Sequence, residues 1–188
     1  MIGPHHETFS RIKRILVEKQ YYKVLDVGIG MGFWGFIIRR YCDIYGGALS
    51  AEEFVVQLDG VEACPKMVEW WPWIPHVYSN VILGDCHEML DELVQKKYEL
   101  VLMMDVLEHM SKEKAKEVVY KFAASGADLL IGIPHGPKRL FQGDRRNDYN
   151  NHRETWTKDD VREMMNAYKA EWLIDGDKQS VVKVVDLE

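Results

Sequence analysis

Phe9, Ile12, Ile15 and Leu16 recur at three- and four-residue intervals among basic and polar neighbours, which predicts an amphipathic helix over about residues 7–20. Lys23 to Val27 then reads as a short buried strand. Phe33 to Tyr41 suits a helix and Phe54 to Val61 a second strand, with Gly46-Gly47 marking the connection. The alternation continues through a helix from Pro65, a strand from His76 to Leu83, a helix from Cys86 to Gln95, and a strand from Tyr98 to Met104. A helix from Ser111 to Ala124 and a strand from Asp128 to Ile133 follow. Such β-α units in succession predict a parallel sheet with helices on both faces. Pro134 to Thr157 is a long polar stretch, of the kind that carries function or moves. Beyond it come a helix from about Lys158 to Tyr168 and two strands, Glu171 to Ile174 and Ser180 to Val185. Asp175-Gly176-Asp177-Lys178 joins these strands in a hairpin.

No internal repeat, low-complexity tract or flexible linker interrupts this pattern, so residues 1–188 read as one domain. At 188 residues, 47% hydrophobic and 29% charged, the composition is that of a soluble globular domain with a real core. A formal charge of −6 argues against non-specific binding of duplex DNA, although a local basic patch remains open. No apolar run approaches the length of a membrane helix, and the N-terminus lacks the apolar core of a signal peptide, so a cytoplasmic protein without membrane contact is expected. Cys42, Cys64 and Cys86 are too widely spaced for short metal or redox pairs and read as reduced packing residues. The run Trp70-Trp71-Pro72-Trp73-Ile74-Pro75 is the compositional oddity. It predicts a loop packed on the core, with an interface to a second copy or a partner chain as the alternative.

The first strand runs into Asp26-Val27-Gly28-Ile29-Gly30-Met31-Gly32, which places alternating glycines where a strand gives way to a helix and a backbone can approach a nucleotide-like ligand. Gly30, Gly32 and Gly35 also satisfy G-x-G-x-x-G, so an NAD(P)-binding oxidoreductase has to be weighed. Asp26 at the turn argues against it, because a carboxylate there would repel a pyrophosphate and attract an ammonium. At the end of the second strand Glu62, with Asp59 as fallback, is placed to accept from ribose hydroxyls. Both lie beyond the roughly 20-residue offset of the dinucleotide fingerprint. Asp85 and Cys86, after the third strand, offer an acid and a backbone amide where an adenine would reach. Asp85 could equally cap the next helix.

Val24 to Gly32, Gly60 to Met67 (GVEACPKM), Gly84 to Glu88 (GDCHE), Tyr98 to Met110 (YELVLMMDVLEHM) and the C-terminal hairpin together resemble the class I S-adenosylmethionine-dependent methyltransferases over nearly the whole chain. The resemblance implies a Rossmann-like α/β three-layer sandwich, its seven-stranded, mostly parallel sheet ending in an antiparallel hairpin strand. It implies that S-adenosylmethionine lies against Asp26, Gly28, Gly30, Gly32, Glu62, Asp85, Cys86 and Asp105.

Asp105, Glu108 and His109 follow the fourth strand at i, i+3 and i+4, so a helical turn beginning at Asp105 would put all three on one face. Two carboxylates and an imidazole so placed could bind a divalent cation or act as acid and base, or simply favour the dipole of a helix start. A second imidazole, His152, ends the long loop in Asn151-His152-Arg153-Glu154-Thr155-Trp156-Thr157. The pair D-x-x-E-H and H-x-x-x-W-T resembles the ubiquinone-pathway O-methyltransferases and the small-RNA 3′-terminal 2′-O-methyltransferases. This implies a metal beside the methyl group, held by Asp105, Glu108, His109 and His152, with Asp105 standing where those branches have Glu. A mixed set of this kind suits Mn, Fe, Co or Zn, and Mg with several waters also fits.

The resulting expectation is O-methylation of a small-molecule hydroxyl acceptor, with His109, His152 and Glu108 as the catalytic set. An RNA ribose is the competing acceptor, because Lys138, Arg139, Arg145, Arg146 and Arg153 alternate with Phe141 and Tyr149 in the long loop. A non-catalytic S-adenosylmethionine-binding subunit that works through a partner is the alternative of a different class. His135, after the fifth strand, is a further candidate for substrate contact, and His87 reads as a solvated helix residue.

Overall fold

Leu100–Met104 is apolar at every position and buried at every position, which only a strand covered on both faces achieves. It is the middle strand, β4, of the sheet in the computed structural model, which describes residues 6–136 and 152–187. Around it stand β1 (Lys23–Val27), β2 (Gln57–Glu62), β3 (Asn80–Leu83), β5 (Asp128–Pro134), β6 (Tyr168–Asp175) and β7 (Gln179–Leu187), in the order β3-β2-β1-β4-β5-β7-β6. β7 runs antiparallel to β5 and β6, and the other pairings are parallel. The seven strands and the antiparallel hairpin match the architecture expected from sequence.

Successive residues of β4 face opposite sides, and the core divides accordingly. Leu100 and Leu102 join the layer of α1 (His6–Glu18), α2 (Phe33–Ile38) and α4 (Ile74–Val77), through Ile12, Leu16, Ile38 and Ile74. Val101 and Met103 join the layer of α5 (Leu90–Gln95), α6 (Lys112–Ala124) and α7 (Lys158–Met165), through Leu93, Phe122, Val161 and Met164. A short helix, α3 (Pro65–Trp70), follows β2. No helix among the described residues is long and apolar enough to cross a membrane.

Several boundaries differ from the hydrophobic pattern, each for a physical reason. His76 to Leu83 is not one strand: Ile74-Pro75 opens α4, proline being tolerated in a first turn, and pairing begins only at Asn80. The strand expected from Phe54 starts at Gln57, because the amides of Val55 and Val56 are taken by Asp43 Oδ1 at 2.9 and 3.1 Å. The helix from Phe33 does not stop at Tyr41 but passes into a π turn over Arg39–Asp43. There the buried Arg39 donates to Asp43, to the Val56 carbonyl and to the Val77 carbonyl. The helix expected from Cys86 begins at Leu90, since Asp85 Oδ1 turns the chain by accepting from His87 N at 2.8 Å. Tyr168 belongs to β6 rather than to the helix before it.

Neighbouring connections from β1 and β4 leave on opposite faces, toward α2 and α6. A crevice therefore opens at their carboxyl ends, the place where open α/β sheets bind ligands.

Candidate active site

Gly28, Gly30 and Gly32 carry the chain off β1 with φ of 76°, 54° and 81°, all in the left-handed region that side chains disfavour. At Gly28 there is a second restriction, because a Cβ would lie 2.6 Å from Val106 Cγ2. The turn lines a cavity together with Glu62, Asp85, Cys86 and Asp105. Glu62 Oε2 accepts from Gly30 N and Oε1 from Cys64 N, each at 2.9 Å, so this carboxylate fixes the loop that it faces. Each oxygen keeps a further lone pair for a ligand donor.

Asp26 and Gly32 do not line the cavity. Asp26 is 1% exposed and points beneath the loop, where it accepts from the Tyr78 hydroxyl and the Gly35 amide. Burial, with the neighbouring Glu62 charge adding to it, pushes its carboxyl up to about 7. Asp26, expected beside the ligand, thus lies beneath the loop, and the carboxylates that line the cavity are Glu62, Asp85 and Asp105. Gly32 begins α2 and packs against Ile74 and Trp73.

After β4 the chain does not enter a helix at Asp105. Asp105 takes φ 57°, its N–H donates to Gly132 O at 2.9 Å, and a single tight turn forms over Leu107–His109. The face expected to carry Asp105, Glu108 and His109 together thus divides. Asp105 and His109 line the cavity, while Glu108 turns inward to 1% exposure. His152 comes to it from the far side of the chain, because Arg153 N and Glu154 N both donate to the Glu108 carbonyl, at 2.9 and 3.2 Å. Trp156, buried to 1%, anchors that segment in the core, and Thr157 caps α7 in a reciprocal box with Asp160.

The result is a group in which Glu108 Oε1 lies 3.8 Å from His109 Nε2 and 3.9 Å from His152 Nε2, with the imidazoles edge to face at 4.9 Å. One ligand atom from each residue falls within 4.8 Å of the others, and Asp105 is not in the group. Glu108 Oε2 is buried without a protein hydrogen bond. Burial foremost, and then the Asp105 charge, raises the Glu108 carboxyl well above the usual carboxylate range.

The remaining sequence candidates lie elsewhere. His135 Nε2 meets Ser180 Oγ at 3.0 Å and burial lowers its pKa, while His87 pairs with Glu117 at 2.9 Å on the surface. Lys138, Arg139, Phe141, Arg145, Arg146 and Tyr149 lie outside the described residues. The tryptophan run divides: Trp71 packs on the core, whereas Trp70 and Trp73 are about half exposed. Trp73 also donates its indole N–H to the Met31 carbonyl at 2.9 Å, a brace on the glycine loop that sequence reasoning missed. Tyr78 was missed as well, because its position falls in a segment that reads as a strand.

Comparison with known proteins agrees with this geometry. The chain is similar to a SAM-dependent methyltransferase from Aquifex aeolicus, at 14% identity and a TM-score of 0.58 over 94% of this chain and 88% of that one. It is also similar to the N-terminal domain of EvdMO1 solved in the presence of SAH and D-fucose, at 13% identity and 0.62 over 99% and 85%. A third likeness is to the small RNA methyltransferase HEN1, at 16% identity and 0.64 over 96% of this chain and 25% of that one. The chain has the class I methyltransferase fold. No protein-family model matches the sequence, nor does any curated protein. Within the class I methyltransferase fold, the crevice described above is the switch point between β1 and β4, with the glycine turn on one side and the Glu108 group on the other.

Proposed function

We propose that this protein is an S-adenosylmethionine-dependent O-methyltransferase acting on a small-molecule hydroxyl, with a divalent cation at Glu108, His109 and His152. The observation that carries the reading is the gathering of Glu108 and His109 with His152, from two segments far apart in sequence, with His109 itself lining the cavity formed by Gly28, Gly30 and Glu62. The cavity fits the cofactor in its donors and acceptors. Glu62 has lone pairs for ribose hydroxyls, the glycine turn lets the backbone approach closely, and Asp85 and Cys86 stand at the adenine end. Bound there, S-adenosylmethionine would supply an electrophilic methyl group.

The donor set also fits a cation. A buried carboxylate with an unpartnered oxygen is costly unless a positive charge accompanies it, and neutral imidazoles are good ligands for divalent transition ions. Ligand atoms about 2.1 Å from a tetrahedral ion stand about 3.4 Å apart, a few tenths of an ångström closer than Glu108 Oε1 stands to either imidazole nitrogen. A cation held there would lower the pKa of an acceptor hydroxyl. His109 lines the cavity itself and is placed to orient the hydroxyl oxygen, orientation being the larger part of the advantage in a displacement of this kind. Val106 and Met110 add apolar surface to the cavity wall.

Incubation with labelled methyl donor against total RNA and a small-molecule extract, with and without EDTA, tests the proposal. Label should enter small molecules, turnover should be lost in EDTA, and an added divalent ion should restore it. Label confined to RNA would replace the acceptor, and full activity in EDTA would remove the ion and leave the histidines as bases. Absence of turnover without a partner chain would favour a binding subunit.

A further inference from the structure

Gln179 opens β7 opposite Pro134 of β5 and is 6% exposed, in a strand whose other buried positions are mostly valine. A carboxamide at such a place is costly unless its groups are used. Its Nε2 donates to Asp105 Oδ1 at 3.3 Å. The reverse orientation of the amide would set oxygen against carboxylate, so the donor is the group that must face Asp105. The amide oxygen is left buried without a partner, so the orientation is dictated by Asp105 and not by the satisfaction of Gln179 itself.

Three further features hold the same carboxylate. Asp105 adopts a left-handed backbone that costs a non-glycine residue about 1 kcal/mol, and its amide is fixed on the Gly132 carbonyl. Gly132 in turn leaves room for its neighbours, since a Cβ would stand 2.6 Å from Met104 Cε, which would have to shift, and 3.6 Å from Gln179 Nε2. These features turn Asp105 toward the cavity, on the side of Gly28 and His109.

The cavity has two ends. Glu62 ends β2 and Asp85 and Cys86 follow β3, whereas Asp105 and Gly28 follow β4 and β1. With the adenosine of S-adenosylmethionine at the first end, the amino-acid tail reaches the second, and its ammonium is a cation in need of a carboxylate. We propose that Gln179 is a positioning residue that aims the Asp105 carboxylate at this ammonium, an inference that rests on the cofactor reading above. It gives Asp105 to the cofactor and leaves the Glu108 group to the acceptor side.

Calorimetry with two ligands tests it: S-adenosylhomocysteine, which carries the ammonium, and 5′-methylthioadenosine, which lacks the amino-acid tail. Gln179→Leu and the unbranched Gln179→Met should each weaken S-adenosylhomocysteine about tenfold and leave methylthioadenosine within about twofold, the second ligand reporting an intact cavity. Asp105→Asn should show the same pattern, and its combination with Gln179→Met should lose little more than either alone. Steady-state kinetics should show a raised KM for S-adenosylmethionine with kcat nearly unchanged. Equal weakening of both ligands would make Gln179 merely structural, and no change in either would remove its role. If the unaltered protein binds neither ligand, the cofactor reading itself fails.

Discussion

Replacing Asp26 with Asn removes a buried charge without changing the shape of the side chain, and the structure fixes the sign of the effect. The Asp26 carboxyl is raised from 3.8 to about 7, chiefly by burial. A carboxyl raised on folding adds stability that is fully present below its unfolded pKa and is lost as pH rises through the folded one. A rise of about three units corresponds to about 4 kcal/mol, surrendered progressively between about pH 4 and pH 7. The Asn variant has no such dependence. Its amide nitrogen replaces one carboxylate oxygen where Tyr78 and Gly35 both donate, and one unsatisfied group costs about 1–3 kcal/mol at every pH. The offset is constant and the slope is not, so the quantity to read is the change in ΔΔG with pH. Urea unfolding of both proteins at intervals from pH 4.5 to pH 8 should show the variant gaining on the unaltered protein by a few kcal/mol across that range and levelling above it. Parallel curves would mean that Asp26 is ionised throughout, and the account of a charge buried beneath the glycine loop would fall.

Gly28→Ala should lower stability by about 2 kcal/mol, because the left-handed φ and the 2.6 Å approach to Val106 Cγ2 act together. It should weaken S-adenosylhomocysteine more than tenfold by calorimetry, since both Gly28 and the Val106 it would displace line the cavity. Affinity at the level of the unaltered protein would show that the turn tolerates a side chain. Trp73→Phe removes the indole hydrogen bond to the Met31 carbonyl at a half-exposed position, so denaturant stability should change by less than about 1 kcal/mol. The KM for S-adenosylmethionine should rise severalfold, and an unchanged KM would remove Trp73 as a brace of the loop.

The order of strands and helices was legible because β1, β4 and β5 are short, mostly apolar runs set off by polar residues or glycine. The glycines of the first turn could be read from residue type and spacing, and the association of Glu108 and His109 with His152 from the resemblance of their two motifs to known methyltransferase branches. The direction of individual side chains could not. Asp26 sits one residue from the end of β1, and neither alternation nor composition tells whether its carboxylate rises to the ligand or turns beneath the loop to Tyr78. The left-handed Asp105 broke the helical spacing expected of Asp105, Glu108 and His109, and sequence carries no mark of that φ. Gln179 was invisible for another reason: it reaches Asp105 only through the pairing of β7 beside β5, a tertiary fact. The tryptophan run was noticed by composition, but only the structure separates the residue that packs on the core from the one that braces the loop.

The backbone tie from residues 153 and 154 to the Glu108 carbonyl gives the site a history in time as well as a shape. The cavity wall is drawn from residues between Val27 and Met110, whereas Gly132 and Gln179, which fix Asp105 in that wall, belong to β5 and β7 and come later in the chain. His152 likewise lies beyond β5 in the sequence, and the donation from Arg153 N and Glu154 N to the Glu108 carbonyl brings it to the site. A chain synthesised only as far as Met110 therefore holds every lining residue of the pocket but neither the ties of Asp105 nor the second imidazole. Releasing that one tie disarms the corner without emptying the pocket.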